Sequence, residues 1–334
     1  MSFFRKFPMM NKTKHLFALG IGDSVVSLAA LEACPEEEST GLSFAGDYWK
    51  LVESDTLPVQ LGDHANAVNE LLLKHKRLGY KNAPLQIVLS SELISQVNVE
   101  RPELPPAEIA SSLQWSLRDL VPIAATDLLV DYFDPPIQPP GKNEIHVVAA
   151  SREFVQPIVA VISEFNFKIK GIVHSDLVFG SWPEANRRLM MVTQLPRERA
   201  QLHIIANGHW FVSRRLRYTY DPYTLKVEDT KLIEGFALEL QRLLDFFSGP
   251  MRQDPINEIE LLFENGQKEE LCEAISQQLG MQITISAYPE WAQQSAKADY
   301  SNLLAIGGLQ WFMGKNTPAT HAYEAAPAAG KATA

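Results

Sequence analysis

The chain has 334 residues, 46% of them hydrophobic, enough to bury one large core or about two medium ones. Its formal net charge of -10 excludes a general affinity for DNA or RNA, which needs a clustered positive surface to displace counterions. No apolar run is long enough to span a bilayer and no charged-then-apolar leader opens the chain, so a cytoplasmic protein is expected.

The first twelve residues set Phe3, Phe4 and Phe7 around Arg5 and Lys6. Segment 1–12 reads as a flexible terminus, with a weak contact to an anionic membrane as its functional alternative. Residues 15–21, 25–32 and 42–52 then read as three strands rich in apolar and β-branched residues. Asp63 caps a helix expected to run to Leu78, with Gly79 as its stop, and 85–90 is a short buried strand. The order is β-β-β-α-β. Residues 97–101 follow as a strand, and Pro106 opens a helix that sets Ile109, Leu113, Leu117 and Leu120 on one stripe. Strands at 127–133 and 143–151 flank a proline-rich turn. A helix through 158–165, in which Pro157 marks a kink or the first turn, and a strand at 168–174 complete a β-α-β-β-α-β unit of split-βαβ type.

The first pattern then recurs. Strands at 189–195 and 201–206 lead through Asn207-Gly208, a type I′ hairpin signal, into 209–216. A long amphipathic helix starts near Thr230 and ends at Gly249-Pro250; strand 256–263, helix 268–279 stopped by Gly280, and strand 281–286 follow. An apolar helix within 299–312 closes the folded part. Residues 315–334, rich in Ala and Pro, read as a disordered tail.

Chemistry is sparse. Gly20-Ile21-Gly22-Asp23-Ser24 follows a strand, but Val25 stands where a dinucleotide fingerprint needs a third glycine, and a second strand follows instead of a helix. Gly314-Lys315 lacks the spacing, the hydroxyl residue and the following helix of a P-loop. The eight histidines form no HExxH or comparable ligand set; His203 and His209 flank one hairpin without a third ligand, so no metal site is expected. Cys34 and Cys272 form no CxxC pair, and free buried thiols are expected. Arg197, Arg199, Arg214, Arg215 and Arg217 form the densest positive feature and read as a solvated strand face, with an acidic partner as the alternative. No catalytic constellation emerges.

Several segments carry a family resemblance: 113–122 (LQWSLRDLVP), 129–132 (LVDY), 147–153 (VVAASRE), 239–247 (ELQRLLDFF) and 305–309 (AIGGL). In order and spacing the chain resembles the PilM family of type IV pilus assembly proteins, within the actin-like ATPase superfamily, and is most similar to its MSHA-pilus branch. The resemblance covers roughly residues 14–312. It implies an α/β fold of two ribonuclease-H-like, actin-like lobes with a small α+β module inserted in the first. Residues 13–96, 174–188 and 299–314 would form the first lobe, 97–173 the inserted partner-binding module, and 189–298 the second lobe. It also implies a cytoplasmic scaffold held at the inner membrane by short cytoplasmic segments of PilN-type proteins, linked directly or indirectly to the pilus motor ATPase. No nucleic acid and no membrane span are expected. The cytoplasmic part of a type II secretion protein ranks last, since such chains continue into a membrane span.

The departures bear on mechanism. The family's first phosphate loop has an Asp two residues before its Gly, where this chain has Gly20 ahead of Gly22. Its second loop reads Asp-x-Gly-x-x-x-Thr, where this chain runs from Gln194 through Pro196 to Ala200. The paired glycines of the nucleoside-side loop are replaced by Glu264-Asn265-Gly266. Metal-assisted phosphoryl transfer needs carboxylates for the ion and close backbone N–H donors for the phosphates. The expectation is a non-catalytic pseudo-ATPase without cofactor, in which Gly20, Gly22, Asp23 and Ser24 are a relic phosphate loop. The alternative is a switch that binds ATP with Mg, with Asp23 taking over metal duty.

Overall fold

The computed structural model describes residues 15–138, 140–184 and 186–316. Segment 1–12 and residues 317–334 of the expected tail lie outside the described residues; Lys315 and Asn316 belong to the last helix.

The first lobe is built on a six-stranded sheet. β1 (His15–Ile21) and β2 (Val25–Cys34) form an antiparallel hairpin closed by a Gly22 N–H to Val25 carbonyl bond of 2.8 Å. The single strand expected at 42–52 is two, β3 (Leu42–Phe44) and β4 (Asp47–Pro58). Ala45 and Gly46 turn between them with φ of 54° and 82°, a two-residue hairpin whose alanine carries no turn signal. α1 (His64–Lys74) is capped by Asp63, which accepts the Asn66 N–H; the chain tightens into a short 3-10 turn before Gly79. β5 (Pro84–Leu89) lies parallel to β1.

The chain then leaves the sheet for the inserted module: β6 (Ser95–Glu100), α2 (Pro106–Ser116), β7 (Leu128–Phe133) and β8 (Glu144–Ser151), in strand order β6-β8-β7. Ile109, Leu113 and Leu117 cover this sheet against Leu128, Ile145 and Val147. Leu120 leaves the expected stripe and is 54% exposed, because the helix has ended at Ser116. α3 (Arg152–Glu164) is capped by Ser151 and starts five residues ahead of Pro157, which lies inside the helix.

α3 and β9 (Lys168–His174) do not complete a split-βαβ module. β9 pairs parallel with β5, and α3 buries Val155, Ile158 and Ile162 among Val68, Leu71 and Leu72 of α1. Parallel neighbours need a crossover helix. β5-α3-β9 is that unit, and the module is spliced into its crossover. Periodicity marked the elements correctly but carried no information on which sheet β9 joins.

The second lobe has a five-stranded sheet, β12-β11-β10-β13-β14, from β10 (Arg188–Thr193), β11 (Gln201–Ala206), β12 (His209–Arg215), β13 (Glu258–Leu262) and β14 (Gln282–Ile285). Asn207 and Gly208 have φ of 53° and 72°, as the hairpin signal requires. α5 (Thr230–Ser248) and α6 (Lys268–Leu279, ended by left-handed Gly280) cover its outer face.

Between the two sheets lie α4 (Ser175–Gly180), too short to be marked by periodicity, and α7 (Leu303–Asn316). Strand alternation lets one strand serve two cores. Leu16 and Ala18 of β1, with Leu189 and Met191 of β10, face α4 and α7, while Phe17, Leu19, Met190 and Val192 face outward to each lobe's own helices. The central core therefore belongs to both lobes.

Candidate functional site

The four residues read as one loop in the sequence are divided between a strand and a hairpin tip. Gly20 lies within β1, paired with Ser27 and Val88, and faces α7. A Cβ there would come within 2.4 Å of Leu304 Cβ, 2.5 Å of Ser27 Oγ and 2.9 Å of the Ala305 nitrogen. Its lack of a side chain admits the helix. Gly22, Asp23 and Ser24 form the hairpin tip, which faces the second lobe. His64 steadies it, with Nε2 3.1 Å from the Gly22 carbonyl oxygen.

The tip is already occupied. The Asp23 N–H donates to Glu198 Oε1 at 2.8 Å, and Ser24 Oγ donates to the Pro196 carbonyl at 2.7 Å. The other Glu198 oxygen accepts the Ser90 hydroxyl at the end of β5. Glu198 is 7% exposed. Burial drives its carboxyl up to about 7, the hydrogen bonds from Ser90 and Asp23 work against this, and the Glu92 and Asp23 charges add to it.

Two further contacts cross between the lobes beside it. Arg199 grips Glu92 with Nε at 2.9 Å and Nη2 at 2.8 Å, and Arg215 reaches the Ser91 carbonyl and, at 3.6 Å, Glu92. Burial disfavours the Glu92 charge, but Arg199 and Arg215 outweigh it and hold the carboxyl below its ordinary range. The arginine cluster is thus not simply a solvated face, since these two are interlobe ties.

Behind them, Asp176 of α4 is fully buried. It accepts from Ser91 Oγ, from Ser213 Oγ at 2.6 Å and from Gln96 Nε2 at 3.0 Å, joining first lobe, second lobe and module. His203 Nδ1 lies 3.9 Å from it, and His203 Nε2 bonds Thr193 Oγ1 at 2.9 Å. Burial lowers the His203 imidazole to about 4. His209 pairs with Ala206 and His203 with Ser213, so the two histidines do not meet. Glu198 and Asp176 belong to no spacing motif, and their partners lie as far as 175 residues away in the chain.

On the outer side of Glu198 is a cavity of about 440 Å³ bordered by Arg197, Arg217, Tyr218, Tyr220, Asp221 and Glu264. Asn265 of the adjacent loop is buried and donates to the Pro222 and Leu225 carbonyls. Among the described residues, no three His, Cys, Asp or Glu side chains are grouped to hold a metal ion.

A larger groove, about 1050 Å³, runs beside the module. β7 and β9, the outer strands of their sheets, both line it. Leu129, Val148, Val155, Ile172 and Val173 make its walls apolar. At one end His174 stacks on Phe133, 6.0 Å between ring centres, with Trp210 edge-on at 6.0 Å. Both His174 nitrogens and Trp210 Nε1 are buried without a hydrogen-bond partner among the described residues. Burial holds the His174 imidazole below its ordinary value and lowers that of its neighbour His146 to about 4.

No family model matches the chain, and no curated protein matches it. Solved structures do. A chain of a PilM-PilN type IV pilus biogenesis complex aligns with a TM-score of 0.58 and 14% identity over 91% of this chain and 99% of that one. A Bacteroides thetaiotaomicron protein with an actin-like ATPase fold and unknown function aligns with a TM-score of 0.52 and 10% identity over 92% of this chain and 99% of that one. The cytoplasmic domain of EpsL, an inner-membrane component of the type II secretion system of Vibrio cholerae, is looser, with a TM-score of 0.49 and 9% identity over 91% and 96%. At such identities the likeness shows the fold, the actin-like α/β fold that the sequence segments implied. No helix among the described residues is long and apolar enough to cross a membrane.

Proposed function

We propose that this chain is a non-catalytic docking component of a type IV pilus assembly machine, of the MSHA branch, that receives a short segment of a PilN-type inner-membrane protein in the groove between β7 and β9. The observation that carries the reading is the groove itself: two outer strand edges flank an apolar trough of about 1050 Å³. An extended segment gains backbone hydrogen bonds from a strand edge and anchors alternate side chains between the walls. The chain that aligns over 99% of its length comes from a complex with PilN, which supports this occupant. Docking of this kind would hold the protein at the inner membrane and connect the membrane complex to the motor.

Ile172 tests the groove because it lines the trough yet is 41% exposed, so changing it costs the fold little. Ile172→Asp should weaken binding of a synthetic peptide spanning the cytoplasmic segment of the PilN-type protein by about 30-fold or more, the scale of a central anchor, measured by calorimetry. Equal affinity of both proteins for the peptide, or none for the wild type, would remove the groove from the reading.

The non-catalytic part rests on Glu198. A phosphate on the Asp23 N–H would share its place with that carboxylate, and the second loop has Gln194 at the position of the metal carboxylate and no glycine. The residues present therefore do not fit a magnesium nucleotide in the phosphate position. Millimolar Mg-ATP should leave the thermal midpoint unchanged. A ligand at 100 times its dissociation constant stabilises by about 2.7 kcal/mol, a shift of several degrees. Such a shift, if it needs magnesium, would restore the ATP switch.

A further inference from the structure

Glu198 contributes more than obstruction. Its side chain comes from the second lobe, yet both of its oxygens bond to the first: Oε1 to the Asp23 N–H and Oε2 to the Ser90 hydroxyl. The backbone carries it there deliberately. Arg197, just ahead of it, holds the left-handed conformation at φ 62°, a strained state for a long side chain, and Gln194 Nε2 ties down the Glu198 carbonyl at 2.9 Å. We propose that Glu198 is an internal carboxyl ligand, carried by one lobe and bound in the hairpin cradle of the other, and that closure of the lobes is coupled to proton uptake by this one carboxyl.

The cradle accommodates both protonation states. Ionised, both oxygens accept. Protonated, Oε1 still accepts the Asp23 N–H while the acid proton is donated to Ser90 Oγ, which reverses its role. The surroundings favour the proton. The carboxyl is out of water, and the charged groups of the packed elements include Asp23 on the hairpin tip and Glu92 after β5, the latter shared by Arg199 and Arg215. His64 of α1 is the other titratable group at the cradle, against the Gly22 carbonyl. When the lobes part, Glu198 meets water and returns to its ordinary value of 4.5, against about 7 when closed. A group whose closed-state value is raised gives its full stabilisation below the open-state value and loses it as pH rises to the closed-state value. Closure is therefore tightest in mild acid and levels off at its weakest above pH 7. This coupling does not depend on what occupies the groove.

Amide hydrogen exchange on the full chain tests it, followed from pH 4.5 to 8.5 and expressed as protection relative to the intrinsic rate. In the wild type, protection of residues 22–24 and 194–200 should fall by about tenfold per pH unit between about 5 and 7, then flatten. Glu198→Gln, which keeps size and cannot ionise, should remove the slope between pH 5.5 and 7. Ser90→Ala removes the Oε2 partner of both protonation states and should displace the pH at which the fall ends. A flat wild-type profile overturns the proposal. So does a slope that Glu198→Gln retains or, should that variant not fold, one whose end point Ser90→Ala leaves unmoved.

Discussion

Gly20→Ala is expected to lower unfolding free energy by about 2 kcal/mol, within the 1–3 typical of overpacking a tight interior. A single methyl suffices because the space is already taken. The added carbon would lie 2.4 Å from Leu304 Cβ and 2.9 Å from the Ala305 nitrogen, both fixed to the α7 backbone, and only the Ser27 hydroxyl at 2.5 Å has room to rotate. Relief requires α7 to slide in the core that both lobes share, so the cost should fall on the whole molecule and shift a single denaturant midpoint. Gly314→Ala on the same helix meets nothing within 4 Å and is the control, neutral or stabilising by up to about 1 kcal/mol. Equal effects of the two changes would mean that Gly20 serves no packing role. A loop glycine kept for phosphate would have tolerated the methyl far better.

Asp176→Ala should be costlier still, about 3 kcal/mol or more by chemical denaturation. The carboxylate is the common acceptor for the Ser91 and Ser213 hydroxyls and the Gln96 amide, in a place without solvent. Truncation strands three donors, each bearing the desolvation cost of an unmet hydrogen bond, and opens a void beside His203. Asp176→Asn keeps one acceptor oxygen and the shape, and should recover a good part of the loss. If alanine and asparagine were both harmless, the triple junction would hold without this residue, and the lobes would owe their arrangement to the apolar core alone.

Much of the fold was legible in the sequence because local physics wrote it. Gly280 ended α6 where a left-handed residue was needed, Asn207-Gly208 made its hairpin, and Pro106 opened α2. What periodicity leaves open is partnership between distant segments. The crossover that places β9 beside β5 spans the whole module, and Ala45-Gly46 turned a strand back with a residue that is no turn signal. Gly22, Asp23 and Ser24, which the sequence presents as part of a relic phosphate loop, lie at the hairpin tip against Glu198 and Pro196. Nothing near position 23 in the chain foretells that Glu198 arrives there, or that two of five clustered arginines converge on Glu92. The groove has no local signal, because its second wall is β9, which the sequence pattern places inside the module but which pairs with β5.

The splice of the module into the β5-α3-β9 crossover has a mechanical consequence. The chain departs through Ser90, Ser91 and Glu92, and these three residues hold, in turn, Glu198, Asp176 and the arginine pair. Its other end returns at Ser151 directly into α3. The module is mounted like a lever whose fulcrum is also the clasp between the lobes. A pull on the module arrives in part as torque on those three residues, so traction on the module and parting of the lobes share these bonds.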